Sequence, residues 1–215
     1  MAKIRAVIFD MWDTLIYNDQ KDNIMKVISN LLGLELVREN WKKLEEAFMK
    51  KRYDDIKDAA SDIGEYFHIK NPILREKFAE IAKDSIKPRV FPDVIPALEN
   101  LNGYKLGIVS NTISFNIGNL EKTLFNHFDE VCLSCDLGML KPDPKIFEAC
   151  LERLGVKPEE AVMFGDNYQD DIEPSKKLGM ETVLVRRDSE MLTWKENHSF
   201  KRIVKSLDEI QKFLK

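Results

Sequence analysis

The run Ala6-Val7-Ile8-Phe9 is apolar at every residue and stops abruptly at a carboxylate, Asp10. A short run of this kind, β-branched and aromatic, reads as a buried strand. In an open α/β sheet the ligand crevice lies beyond the carboxyl ends of the strands. Asp10 therefore falls where chemistry is expected, although an aspartate there can also simply cap the following turn. The remaining segments decide between these two roles.

Further apolar runs occupy residues 104–109, 130–134, 161–164 and 182–185, and a shorter one sits at Ile203-Val204. Helical patterns separate them. Residues 90–94 lead into a helix ending near Gly103, and another spans about 114–125. A loop punctuated by Pro142 and Pro144 opens a helix reaching about Leu154, a further helix covers 171–178 before Gly179, and a last one starts at Ser206. Strands alternating with helices at this spacing predict an α/β fold, a doubly wound Rossmann-like parallel sheet with helices on both faces. Residues 17–87 differ, with charged helical periodicity and no strand-like alternation. Stripes at Ile24/Val27/Ile28/Leu31, Trp41/Leu44/Phe48, Ile56/Ala60/Ile63/Phe67 and Ile73/Leu74/Phe78/Ile81 predict four short helices. The expected organisation is thus a core of 1–16 and 88–215, with 17–87 inserted as a small helical bundle. Glu45 and Glu46, with Lys42, Lys43 and Lys50, read as a solvated helix face.

Composition removes several classes of function. A formal net charge of −4 provides no basic field for nucleic acid, and no apolar run approaches the roughly 20 residues that span a bilayer. The N-terminus passes from Lys3 and Arg5 directly into a strand. The three cysteines are sparse and odd in number, and Cys132 and Cys135, although spaced CxxC, lack a second pair. The expectation is a cytoplasmic protein, monomeric or homodimeric, with structural cysteines and a small-molecule substrate.

The strand ends carry the chemistry. Asp10 ends the first strand, Ser110-Asn111-Thr112 the second, and Gly165-Asp166 a later one, with Asp170 and Asp171 close behind; Lys141 sits on the proline-punctuated loop. Converging carboxylates persist only if protonated or bridged by a cation, and an all-oxygen set suits Mg²⁺ shared with a substrate phosphate. Lys141 and the Ser110 hydroxyl supply positive and donor character for a dianion. Asp10 can then attack in line, giving an aspartyl-phosphate that water cleaves. No Walker-type Gly-rich lysine loop is present.

The set Asp10-x-x-x-Thr14-Leu15, Ser110-Asn111, Leu140-Lys141-Pro142-Asp143-Pro144-x-Ile146-Phe147 and Gly165-Asp166 with Asp171-Ile172 resembles the haloacid dehalogenase (HAD) superfamily. The insertion is similar to that family's helical C1 cap. The resemblance implies Asp10 as nucleophile, Ser110 and Asn111 as phosphate-binding residues, and Lys141 as the charge-neutralising cation. It also implies Mg²⁺ held by Asp10, the backbone carbonyl of Trp12, Asp166 and Asp171, with Asp170 as the alternative to Asp171. One departure stands out. Where the family's phosphatases carry a general acid two residues after the nucleophile, this chain has Trp12, followed by Asp13. A positioned acid typically contributes about 10²–10⁴-fold, so Asp13 or a residue of the insertion is expected to replace it, while Trp12 walls the substrate entry. The implied function is a Mg²⁺-dependent phosphatase. Two alternatives are a metal-free 2-haloacid dehalogenase, with Arg38 or Arg52 holding halide, and a catalytically weak phosphate-binding protein.

Overall fold

The computed structural model describes residues 3–19, 37–68, 87–114, 117, 118, 120–187 and 202–214, with isolated positions 26, 29, 30, 33, 35, 76, 77 and 80. The apolar residues expected to define the first and fourth helices of the insertion (Ile24, Val27, Ile28 and Leu31; Ile73, Leu74, Phe78 and Ile81) lie outside the described residues.

Two strands near the start, β1 (Ala6–Phe9) and β2 (Ile16–Asn18), are followed by helices α1 (Arg38–Phe48) and α2 (Ile56–Tyr66). Then come β3 (Pro88–Val90), α3 (Val94–Glu99), β4 (Lys105–Ser110), α4 (Leu120–Thr123), β5 (Glu130–Leu133), α5 (Ser134–Leu137) and α6 (Pro144–Leu154). The chain continues through β6 (Ala161–Gly165), a π-helical turn (Tyr168–Ile172), α7 (Glu173–Leu178), β7 (Glu181–Val185), β8 (Ile203–Val204) and a 3₁₀ segment (Leu207–Phe213).

Six strands form one sheet in the order β5-β4-β1-β6-β7-β8, and each neighbouring pair is parallel. From β1 the chain steps outward through β4 and β5, then returns to the other side of β1 for β6, β7 and β8. The strand order therefore reverses at β1, which places the crevice beyond Phe9. Successive residues of β1 point to opposite faces. Val7 and Phe9 enter one apolar layer with Ile108, Phe164 and Leu207; Ala6 and Ile8 enter the other with Val109, Met163 and Phe147. Both faces are covered, which is why the strand is apolar throughout.

Helix α6 begins as its residues dictate: Pro144 takes the first turn, and the Asp143 side chain accepts the Lys145 N–H at 3.0 Å. It lies unusually close to the sheet. A Cβ on Gly107 would sit 2.9 Å from Cys150 Sγ and 3.0 Å from Leu154 Cδ1.

Helices α1 and α2 match the second and third expected helices. Leu44, Phe48, Met49, Ala60 and Ile63 pack together with Ile113 and Leu140 from the sheet side. Tyr53, between the two helices, exchanges bonds with Ser114: its N–H donates to Ser114 Oγ at 2.8 Å, and that hydroxyl donates to the Tyr53 carbonyl at 3.2 Å. Arg52 pairs with Asp136.

Several local expectations are corrected. Ile16–Asn18 is a strand, paired antiparallel with Pro88–Val90 in a separate two-stranded sheet where Ile16 opposes Val90. Three-residue strands carry too little alternation to be read, and these are stabilised by a partner remote in sequence. Ser134 opens α5 instead of ending β5, and Asp171 lies in the π-helical turn before α7. Among the described residues, α4 is confined to Leu120–Thr123, and the C-terminal helix expected from Ser206 is 3₁₀.

Candidate active site

Asp10 leaves the sheet where β1 stops, and its N–H donates to the Phe164 carbonyl at 2.8 Å, so its backbone still belongs to the sheet while its side chain does not. The end of β6, the π-helical turn and one loop converge on it. Asp10, Asp166 and Asp171 each bring a carboxylate oxygen within 4.8 Å of the others. Between two of them lies the Lys141 ammonium, 2.5 Å from Asp10 Oδ1 and 2.6 Å from Asp171 Oδ1. Asp10, Asp171 and Lys141 are buried and Asp166 is half-buried.

Each member is held by something specific. Lys141 is positioned by Asn111, whose side-chain amide is engaged at both ends: Lys141 N–H donates to Asn111 Oδ1 at 2.8 Å, and Asn111 Nδ2 donates to the Lys141 carbonyl at 3.2 Å. The Asn111 side chain thus clamps the lysine loop to the end of β4. Asp171 accepts the Asn167 N–H on Oδ2 at 3.0 Å, and Gly165 makes room for it, since a Cβ there would lie 2.5 Å from the Asp171 side chain. Asn167 also caps the π-helical turn, accepting the N–H groups of Gln169 and Asp170, and donates to Asp170 Oδ2 at 2.8 Å. Asp171 joins the carboxylate trio, whereas Asp170 faces Arg38 of α1 at 3.6 Å. Ser110 is fully buried, its hydroxyl making a long 3.4 Å contact to the Asn111 carbonyl.

Burial and charge set the protonation of this cluster. Burial disfavours the Lys141 charge, but Asp10 and Asp171 outweigh it and hold the ammonium above the ordinary lysine range. Burial pushes the Asp171 carboxyl up to about 6, against the pull of Lys141. Asp166 is raised well above the ordinary range by burial and then by Asp10, Asp171 and Asp13. The residues carry three carboxyl groups against one ammonium, a formal excess of two negative charges. Proximity, all-oxygen donors and that excess fit a divalent cation.

Trp12 and Asp13 occupy the loop beyond β1. The Trp12 indole N–H donates to Thr112 Oγ1 at 3.1 Å, tying this loop to the end of β4. Asp13 has a left-handed backbone, φ 56°, which an aspartate tolerates better than most residues. It lies near enough to Asp166 to raise that carboxyl further.

The insertion contributes a carboxylate that sequence reasoning assigned to solvent. Arg38, Trp41, Lys42 and Glu45 recur at i, i+3, i+4 and i+7, one face of α1. That face meets the π-helical turn through Arg38 and Asp170. Glu45 is half-buried and accepts the Trp41 indole N–H on Oε1 at 3.0 Å. It lines, with Lys42 and Lys141, a cavity of about 250 Å³ between α1 and loop 138–143. Burial, then the Asp170 carboxylate, pushes the Glu45 carboxyl up to about 7. The signal in the sequence was Trp41, an aromatic on the same face as the charges.

Among known proteins, the family model described as haloacid dehalogenase-like hydrolase matches residues 4–179. Over 215 aligned positions the chain is 32% identical to a glyceraldehyde 3-phosphate phosphatase of Methanothermobacter thermautotrophicus, covering 91% of this chain and 90% of that protein. A stretch of 108 residues is 44% identical to the Methanopyrus kandleri protein of the same name, spanning 45% of its length. Among solved structures, a HAD phosphatase from Thermococcus onnurineus superposes with a TM-score of 0.64 at 29% identity, covering 98% of both chains.

Proposed function

The chain belongs to the haloacid dehalogenase-like hydrolase family, and from that membership we propose that it is a Mg²⁺-dependent phosphatase acting on a small phosphorylated metabolite through an aspartyl-phosphate on Asp10. One observation carries the reading: three carboxylates whose oxygens lie within 4.8 Å, with Lys141 between two of them. Carboxylates so close repel unless a cation joins them. Asp10, Asp166 and Asp171, with the Trp12 carbonyl, would hold Mg²⁺, which when bound neutralises charge on the transferring phosphoryl group.

The chain's own groups account for the remaining work. Lys141 holds Asp10 in place through its 2.5 Å contact with Oδ1, which orients the nucleophilic carboxylate. Its ammonium also offsets the phosphoryl charge, together with the Ser110 hydroxyl and the Asn111 N–H as donors. The Asn111 side chain serves through Lys141, by fixing its backbone. Asn167 and Gly165 set Asp171 in place. Residues 17–87 act as a cap over residues 1–16 and 88–215, supported by the contacts of α1 with Asp170 and of Tyr53 with Ser114. Among the described residues no helix is long and apolar enough to cross a membrane, and a cytoplasmic setting is part of the proposal.

The name shared by the two relatives makes glyceraldehyde 3-phosphate the first substrate to try. The decisive assay measures phosphate release from it and from an aryl phosphate, with Mg²⁺ or EDTA, alongside halide release from a 2-haloacid. Phosphate release that needs Mg²⁺ and disappears in Asp10→Asn is the expected result. Turnover indifferent to EDTA, or halide release in its place, would sink the reading.

A further inference from the structure

We propose that Glu45 is the acid–base residue of this site, protonating the leaving-group oxygen and then deprotonating the attacking water. This rests on the phosphatase reading and goes beyond it. The position two residues after the nucleophile holds Trp12, whose indole N–H is engaged by Thr112 and cannot serve as an acid near neutral pH. The site therefore needs a proton donor from elsewhere. Asp13 sits beside Asp166 and adds to the negative charge there.

Glu45 lies on the side of α1 that faces the loop carrying Lys141. It projects from the face of α1 that meets the catalytic loops, seven residues and about two helical turns from Arg38, which approaches Asp170. It shares the walls of one cavity with Lys141, the residue bound to Asp10. Trp41 holds one carboxyl oxygen, Oε1, and Oε2 has no hydrogen-bond partner among the described residues. The groups acting on it are Asp170, which opposes its ionisation, and the Trp41 N–H, Lys141 and Lys42, which favour it. Burial and Asp170 prevail, and a carboxyl pushed up to about 7 populates both protonation states at neutral pH, as a residue that gives and later takes a proton requires.

The steps balance. Asp10 attacks phosphorus, the bond from phosphorus to the ester oxygen breaks, and the departing oxygen takes the Glu45 proton, leaving free alcohol, aspartyl-phosphate and Glu45 carboxylate. Water then attacks phosphorus and gives its proton to Glu45. The bond between phosphorus and the Asp10 oxygen breaks, releasing inorganic phosphate and restoring both residues.

The test uses native protein, Glu45→Gln and Glu39→Gln, the last an exposed control paired with Lys43. Two probes are compared with Mg²⁺: p-nitrophenyl phosphate, whose alcohol departs without a proton, and glycerol 3-phosphate, whose alcohol does not. Glu45→Gln should lower kcat/KM for glycerol 3-phosphate by about 10²–10⁴-fold and for the aryl ester by less than about tenfold. Nitrophenol should then appear in a stoichiometric burst, because the phosphoenzyme lacks its base. Glu39→Gln should match native protein. Native kcat/KM for the alkyl ester alone should fall as pH rises through about 7, and that limb checks the proposal independently should the variant fail to fold. Equal effects of Glu45→Gln on both probes, or no alkyl-specific limb, would overturn the proposal. So would a native protein that cleaves the aryl ester and not the alkyl one. A native protein inactive on every phosphate ester overturns the phosphatase reading and this proposal with it.

Discussion

At the scale of single residues, the site depends on groups that do no chemistry themselves. Gly165 carries no side chain because Asp171 passes over it, and an added methyl would meet that carboxylate at 2.5 Å. Gly165→Ala should displace Asp171 while leaving Asp10 in the sheet. The expected result is a loss of about 10–100-fold in Mg²⁺ affinity by calorimetry, the usual cost of disturbing a metal ligand's support. Unchanged affinity would mean that Asp171 is not a ligand. That Asp10, Lys141, Asp166 and Asp171 come together was readable, because each follows a strand or a proline-punctuated loop at a short offset. The partnership of Asn111 with the Lys141 backbone was not. It joins residues 30 apart in the chain through a loop geometry that no local pattern encodes. Glu45 was misassigned for the same reason: its charged neighbours suggested solvent, while the surface facing it belongs to other segments.

At the scale of elements, helix α6 lies against β4 over Gly107, where Cys150 and Leu154 fill the space a side chain would take. Gly107→Ala forces backbone or helix to move, and overpacking of this kind costs about 1–3 kcal/mol. Denaturant unfolding should show that loss as a lower midpoint with an unchanged slope. A neutral substitution would mean the helix shifts freely, contrary to its tight apolar layer. Longer elements were legible because alternation and helical stripes repeat along them. The three-residue strands Ile16–Asn18 and Pro88–Val90 were not, since each exists only through the other.

At the scale of the molecule, Asp93 ties the chain's two ends of sequence together. Its carboxylate takes Arg187 Nη1 at 2.5 Å, Ser206 Oγ at 2.8 Å and the Leu207 N–H at 2.7 Å. Arg187 in turn donates to the Thr14 carbonyl just past Asp10 and stacks on Phe91, 4.3 Å from its centroid. Burial raises the Asp93 carboxyl, but those bonds outweigh it and leave it below the ordinary range. A carboxyl lowered by folding stabilises above its unfolded value, near pH 4, and loses that contribution as pH falls through the depressed folded value. Native protein should therefore lose stability on acidification through this window, and Asp93→Asn should be weaker at neutral pH by about 1–3 kcal/mol with a shallower acid limb. Thermal melts across pH check it; parallel curves for the two proteins would remove Asp93 from this role.

Sequence alone determined the alternation of buried strands with helices, the α/β class and the set of residues at the strand ends. These follow from local periodicity and fixed spacing along one chain. Only the tertiary structure decided which face of α1 looks onto Asp170 and Lys141, and which asparagine holds which loop. Those choices depend on how separate surfaces meet, and packing between distant segments leaves no periodic trace in either one.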